Sequence, residues 1–416
     1  MLSYVTLTLS LICLTLIVAN AALFEFTVIC MKDDDHNLRF SSYEQGLLLG
    51  VIAVGCMFGT YPSIKLFDTI GFNNCFTLMG LLSAIGTLIV PFFGHNFYVI
   101  LLDQLVQGIA LAAAFLALGV IPAVVGDYNQ KGFFASILTC SMQLGPFMVM
   151  PAGSYVLFAI LTLVAFILFF FVYGRFTERK RSCLIKGSYP DITALQDENA
   201  NDKGHSVPYR SIFTSASFWG LMFVDFGDTC GYQLFMFYGP TYLNKVLSYE
   251  VRETGFFAAL PHLLSMATKT AGGFLLDRAT CVGEGTRATL FIAVSEVVMM
   301  FCFAVLSFVT AGMAFVGQAM LNVLTVFSGL AFIGLVSGSQ IVGQQYTYVL
   351  TTAIAVQDSL AGLVVPAMVA LIAPNYEEAE WRTVFLYLTA MLMVTVSLFL
   401  ALTRMKPARW TMTQLK

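Results

Sequence analysis

Apolar runs of about twenty residues recur twelve times along this chain, and nothing else in it limits the fold as strongly. A helix that crosses a bilayer needs about 20 such residues, and in hydrocarbon only helices and closed barrels satisfy their own backbone polar groups. The runs are Tyr4–Phe26, Tyr43–Leu66, Cys75–Gly94, Phe97–Val125, Gly132–Ala152, Gly153–Tyr173, Phe218–Leu243, Gly255–Leu276, Thr289–Thr310, Met313–Val336, Val342–Ile372 and Val384–Thr403. The fifth and sixth follow one another through Pro146, Pro151 and Gly153 with almost no connector. The first is too long for a signal-peptide core and no basic residue precedes it, so it is read as a span. Only 11 % of the 416 residues are charged, where a soluble chain carries about 25 %.

The predicted class is all-α transmembrane, with twelve helices in two six-helix bundles related by pseudo-two-fold symmetry. The bundles are placed at 1–174 and 211–405, joined by a polar linker at 175–210 rich in Asp, Asn, Lys and Ser and followed by a tail at 406–416. With both termini cytoplasmic, fifteen of the 21 Lys and Arg fall on inner segments and five on outer ones, with Lys269 inside a span. That bias fits the tendency of cytoplasmic loops to hold the basic residues. The plasma membrane or an endolysosomal or vesicular membrane is the expected location. A net charge of −3 gives no reason to expect nucleic acid. Nine scattered cysteines lack CxxC spacing, which favours packing over a metal or redox site. No cofactor or metal is expected, and the partners expected are the bilayer, a small solute and a coupling ion, with the chain acting as a monomer.

The stretch Phe218–Arg278 holds the most informative charges. Asp225 and Asp228 share a helix face at i and i+3, and Gly227 and Gly231 form a GxxxG that lets helices approach closely. Lys269 and His262 lie on the next span, seven residues apart. A charged side chain at the centre of a span costs about 2.5–3.5 kcal/mol on insertion scales, so it normally faces a bundle interior or a water-filled cavity. At 1.5 Å per residue, antiparallel spans put Asp225 level with Lys269, with Asp228 about 4–5 Å higher. One acid paired to Lys269 and one left over is a workable arrangement for coupling to H⁺ or Na⁺, and His262 in a cavity is a natural proton relay. The blander readings are a structural lock, a snorkelling lysine and a hydrogen-bonded packing histidine. Glu296, mid-span, is read as a structural partner. Gln340, Gln344, Gln345 and Tyr346 are read as caps or as lining of an inner vestibule.

Both halves place an Asp at the cytoplasmic end of their second span, in Asp68-Thr-Ile-Gly71 and in Gly272-Gly273-Phe-Leu-Leu-Asp277-Arg278. Matching landmarks in six-span halves point to a parallel repeat that rocks around a midplane site. Asp68, Asp277 and Arg278 are the expected gate residues. The first copy is degraded, because Asn73 and Asn74 stand where basic residues are expected.

Val207-Pro-Tyr-Arg-Ser-Ile-Phe213, Gly239-Pro-Thr-Tyr-Leu-Asn-Lys-Val-Leu247, Pro261-His262 and Gly273-x-x-x-Asp277 together resemble the anion:cation symporter family of the major facilitator superfamily. That family contains the sodium/phosphate cotransporters, sialin and the vesicular glutamate transporters. Gln107-Gly108 and Glu380-Trp-Arg-Thr-Val-Phe385 add to the resemblance. It implies secondary active transport of organic anions or phosphate, driven by H⁺ or Na⁺ through alternating access. The chain departs from the family in two places. Members commonly carry an Arg in span one and another in span four; here span one has no basic residue and Gln104 stands at the second position, beside Asp103. An amide cannot replace the bidentate, charge-assisted contacts of a guanidinium.

The expected solute contacts are Gln104, Gln107, Tyr232, His262 and Lys269, between the halves near mid-depth, with Asp225 and Asp228 as the ion-coupling pair. No HExxH or GxSxG occurs and the four histidines are far apart in sequence, which argues against an enzyme. Two alternatives to an anion symporter stand: a facilitator of an uncharged solute, and a non-transporting scaffold or receptor descended from a transporter.

Overall fold

The computed structural model describes residues 2–30, 42–94, 96–126, 131–152, 154–185, 207–247, 251–278 and 282–411. Helices cover every expected span. In chain order they are α1 (Leu2–Cys30), α2 (Ser42–Ile70), α3 (Phe72–Phe93), α4 (Phe97–Val125), α5 (Lys131–Thr139), α6 (Ser141–Ala152), α7 (Tyr155–Ile185), α8 (Tyr209–Phe213), α9 (Ala216–Lys245), α10 (Val251–Arg278), α11 (Glu284–Leu306), α12 (Ala314–Gly343), α13 (Thr347–Ile372) and α14 (Glu378–Leu402). Nine stretches of described residues are long and apolar enough to cross a membrane; the longest, Ala314–Ile372, holds both α12 and α13.

Two boundaries differ from the sequence reading. The fifth span is two helices that meet at Cys140, between α5 and α6. Ser136, Thr139 and Ser141 turn their hydroxyls back onto Phe133, Ser136 and Leu138 carbonyls at 2.7–2.8 Å. Such bonds compete with the helical ladder. The tenth span runs on to Gly343, and the eleventh begins at Thr347 rather than Val342. Between them Gln344–Tyr346 forms one 3₁₀ turn, with Gln344 at φ 45° and its side-chain amide donating to the Ile341 carbonyl at 3.0 Å. Of the two readings offered for Gln344, this bond is the capping one.

The described residues group into two compact units, Met1–Pro208 with Gln345–Val356, and Tyr209–Gln344 with Gln357–Lys416. Helix α13 is therefore divided between them at Val356, whereas the sequence reading assigned all of 211–405 to one bundle. In the first unit α2 and α4 cross at two glycines. A Cβ on Gly108 would come within 2.2 Å of the Ile52 carbonyl oxygen, and one on Gly55 within 2.4 Å of the Leu105 oxygen. The start of α13 packs here too: Thr351 lies over Gly119, and Cys56 donates to the Ala355 carbonyl at 3.7 Å.

The second unit is built around an aromatic core in which Tyr242, Phe303, Trp381 and Phe385 are buried with Leu321 and Leu324. Gly227 lets Leu392 and Thr395 of α14 approach α9, while Gly231 faces Met299 and Phe303 of α11. The expected GxxxG thus contacts two different helices. Beyond α14 the chain turns back on the unit. Met405 packs on Gly285 and Gly338, Ala408 donates its N–H to the Val342 carbonyl at 3.2 Å, and Trp410 is buried.

Candidate transport site

Each unit holds a polar cluster inside an otherwise apolar interior. In the first unit Gln107 of α4 is fully buried. Its amide donates to Asp103 Oδ1 at 2.8 Å, to Thr87 Oγ1 at 3.0 Å and to the Ser83 carbonyl at 3.1 Å, and its oxygen accepts from Ser83 Oγ at 2.6 Å. Asn20 of α1 continues the network, donating to Ser83 Oγ and Thr162 Oγ1 at 3.0 and 3.1 Å. Gly86 leaves the space that the Asp103 carboxyl fills, since a Cβ there would come within 2.6 Å of it. Gln107, expected as a solute contact, is thus tied on every side to α3 and α4. Gln104, one turn away, is 1 % exposed, and neither its amide oxygen nor its nitrogen has a hydrogen-bond partner among the described residues. It is one turn along α4 from Ile100, which packs with Phe24 of α1 and Leu48 of α2.

In the second unit, α9 presents Asp225, Asp228 and Tyr232 on one stripe by their i, i+3, i+7 spacing. Asp225 and Asp228 are buried, and Tyr232 is half-buried. Helix α10 presents His262, Ser265 and Lys269, all buried, on a second stripe. Gly329 of α12 makes room for it: a Cβ there would strike Ser265 Oγ at 2.4 Å and Lys269 Cε at 2.9 Å. Beside that glycine, Ser328 donates its hydroxyl to Asp228, and the Lys269 ammonium acts on the same carboxylate. Lys269 Nζ also sits 5.3 Å from the Phe332 ring centroid.

Lys269, expected level with Asp225, acts by its charge on Asp228. Ser328 and Gly329 are consecutive on α12, the first bonded to Asp228 and the second packed against Lys269. Asp225 instead has Asp228 and Asp358 as its charged neighbours. His262 is buried, its ring lies 5.8 Å from Phe235, its Nδ1 has no partner among the described residues, and it feels the Lys269 charge.

Two acids complete this cluster. Glu296 of α11 is 1 % exposed and close enough to Asp225 and Asp228 for their charges to act on it. Asp358 of α13 accepts from Gln233 Nε2 at 3.0 Å. Sequence reasoning left Glu296 as a structural partner and passed over Asp358. The signal for Asp358 was present, as a lone carboxylate deep in an apolar run. Among the described residues, no three His, Cys, Asp or Glu side chains are arranged to hold a metal ion. The carboxylates share a field without sharing a ligand.

The residues expected at the gate sit at helix ends. Asp68, in the last turn of α2, accepts from the Tyr348 hydroxyl at 3.3 Å within the first unit, and the Tyr348 ring lies 4.7 Å from Phe67. Gly71 follows at φ 81°, a left-handed conformation that glycine adopts without strain. Asp277 and Arg278 close α10. Arg278 lies over the Phe274 ring at 4.3 Å, while Arg287 of α11 donates to the Leu276 and Asp277 carbonyls at 2.5 and 3.4 Å. A guanidinium there satisfies the orphan carbonyls of a helix end and matches its dipole. Arg287 was read in the sequence only as one of the inner basic residues.

Comparison with known proteins places this architecture. The sequence pattern that defines the Major Facilitator Superfamily matches residues 5–357. The chain belongs to the Major Facilitator Superfamily. The solved structures it resembles include a proton:xylose symporter of that superfamily bound to 6-bromo-6-deoxy-D-glucose, with a TM-score of 0.74 at 14 % identity over 97 % of each chain. A bacterial homologue of the iron transporter ferroportin, in an outward-facing state, gives 0.70 at 12 % identity over 95 % of this chain and 98 % of that one. These likenesses show the major facilitator fold expected from the sequence.

The resemblance to the anion:cation symporter group also holds, at the low identity of a divergent member. The chain is 23 % identical to sodium-dependent phosphate transport protein 1 of Homo sapiens, over 59 % of this chain and 53 % of that one. It is 23 % identical to the probable small intestine urate exporter of Mus musculus, over 88 % and 77 %, and to vesicular glutamate transporter 2 of Bos taurus, over 82 % and 61 %. The match thus spans about half the length of the phosphate transporter. The chain is thus a multi-pass helical member of the superfamily, and the relatives it resembles are named as transporters and an exporter.

Proposed function

We propose that this major facilitator is a secondary active transporter of a small organic anion or phosphate, coupled to H⁺ or Na⁺ by alternating access, with both termini cytoplasmic. The observation that carries the reading is the set of buried charges in the second unit. Lys269 supplies one cation against Asp225, Asp228, Glu296 and Asp358, inside a bundle whose walls are apolar. Fixed charges that could not exchange a partner would make a costly structural device, since burying an ion pair rarely gains stability over a well-packed apolar alternative. Charges that bind and release an ion do work instead. Asp228 is the coupling carboxylate in this reading, with Asp225 beside it. Lys269 and His262 are the anion and proton contacts, with Tyr232 as a further contact on the α9 stripe. In the first unit Gln104 contacts solute and Gln107 holds α4 in place. Asp68, Asp277 and Arg278 serve the gate. The names of the relatives favour phosphate, urate and glutamate as first solutes to test.

Uptake into proteoliposomes of phosphate, glutamate, sialate and urate, with proton and sodium gradients imposed separately, tests this reading. Gradient-driven uptake by the native chain that disappears in Asp228→Asn is expected. Uptake unchanged by that substitution removes Asp228 from the mechanism. A second reading rests on Gln104. A buried amide with neither atom partnered among the described residues offers a donor and an acceptor but no charge, which suits an uncharged polar solute. Gradient-independent flux of a neutral solute that is lost in Gln104→Leu would favour it.

A further inference from the structure

Asp103, in the second turn of α4, is a carboxyl to which the transport reading assigns no role. It is 5 % exposed. The hydrogens around it are few. Gln107 Nε2 carries two, and three acceptors lie within its reach: Asp103 Oδ1 at 2.8 Å, Thr87 Oγ1 at 3.0 Å and the Ser83 carbonyl at 3.1 Å. The Ser83 hydroxyl is committed to Gln107 Oε1, and the Thr87 hydroxyl to the Ser83 carbonyl. Both amide hydrogens of Asn20 are taken by Ser83 Oγ and Thr162 Oγ1, and Thr162 donates to the Phe158 carbonyl. Asn20 Oδ1 is left without a donor among the described residues. The network holds more acceptors than hydrogens, and Asp103 receives one hydrogen at most, where a carboxylate accepts at about four positions.

No cation makes up the difference. The charges on the helices packed against α4 are Glu25 of α1, Glu44, Lys65 and Asp68 of α2, and Lys131 of α5. Among the described residues none of them acts on Asp103. Helices α2 and α4 run in the same direction, since Gly55 meets Leu105 and Gly59 meets Ile109. Lys65 therefore lies toward the far end of α4 from Asp103, and Lys131 follows that end in sequence. The space is nonetheless shaped for the carboxyl, because a Cβ on Gly86 would come within 2.6 Å of Asp103 Oδ1. A carboxylate held among apolar helices by one shared amide hydrogen and no cation is costly. The carboxylic acid adds a hydrogen of its own to a network that lacks one. We propose that Asp103 is a proton-binding site of the first unit, whose carboxylate takes a proton from water to form the neutral acid and returns it to water. Its use in coupling deepens the transport reading and rests on it; the proton binding itself does not.

Infrared titration of the full chain in nanodiscs reads this site without any flux. The spectrum of Asp103→Asn is subtracted from that of the native chain across a pH series. The Asn amide copies the neutral acid in shape, so this variant is expected to fold, as checked by its melting temperature; Asp103→Ser replaces it if it does not. The expected difference at neutral pH is the carbonyl stretch of a protonated carboxylic acid. That band should give way to carboxylate bands as pH rises and return on reacidification. Carboxylate bands already present at neutral pH overturn the proposal. So does an acid band that persists unchanged until the chain unfolds, which marks a fixed structural acid. Uptake by the native chain separates the two readings. An exchangeable band in a chain that moves no solute under a proton gradient keeps the site and removes the transport reading. Proton-driven uptake without such a band keeps the transport reading and removes the site.

Discussion

Lys269 shows how closely a buried charge depends on its surroundings. Its charge acts on Asp228, whose carboxylate accepts from Ser328, and its stem lies where position 329 carries no side chain. Removing the lysine alone leaves buried acids without their cation, and breaking a buried pair in this way typically costs about 3–5 kcal/mol. Lys269→Met is therefore expected to lower the melting temperature in detergent sharply. Lys269→Met combined with Asp228→Asn should recover most of the loss, and the double-mutant cycle measures the coupling. Gly329→Ala pushes against Lys269 Cε and Ser265 Oγ and should impair gradient-driven uptake more than it impairs folding. The residues of this cluster were legible in part. Asp225, Asp228, His262 and Lys269 stood out because charge in an apolar run is conspicuous. Their pairing was not legible, because helix rise sets height along a span and says nothing of which neighbour leaves a gap. The gap belongs to Gly329, an unremarked glycine on a third helix.

Among the elements, the apolar runs predicted the helices well, since twenty apolar residues leave little choice in hydrocarbon. The breaks were harder. Sequence marked the junction of the fifth and sixth spans, where one helix ends at Ala152 and the next begins at Tyr155, but not the break inside the fifth span at Cys140, where three hydroxyls bond back to the preceding turn. The division between α12 and α13 was set several residues early because Val342 and Gly343 are as apolar as their neighbours. Close crossings were invisible except as glycines. Gly108 and Gly55 carry the α2–α4 crossing, so Gly108→Val should force the helices apart and cost about 1–3 kcal/mol or more, read as loss of monodisperse protein on size exclusion. Gly283 meets open space at an ordinary φ of −60° but caps α11, so Gly283→Ser, which keeps a capping residue there, is expected to leave stability nearly unchanged in thermal melts.

For the whole molecule, the distribution of Lys and Arg fixes the expected orientation. An epitope placed after Thr411 should become accessible to antibody only after the membrane is permeabilised, and labelling of intact cells would reverse the assignment of inner and outer ends. Fold class and family were legible over nearly the whole chain, because span number and the second-half motifs each constrain many residues at once. Solute identity was not, because the positions that differ from the family, Gln104 above all, are single side chains, and Gln104 has no hydrogen-bond partner among the described residues to interpret it by.

The return of Arg404–Thr411 onto the second unit also bears on the order in which the protein is made. Met405 fills the spaces over Gly285 and Gly338, and Ala408 bonds to the last turn of α12. Those helix ends are synthesised well before the residues that cover them. The second unit therefore cannot finish folding span by span as it enters the bilayer. It stays open at one end until the segment after α14 has left the ribosome, and a nascent chain stalled before Met405 should remain sensitive to protease at the ends of α11 and α12 while the first unit is already closed.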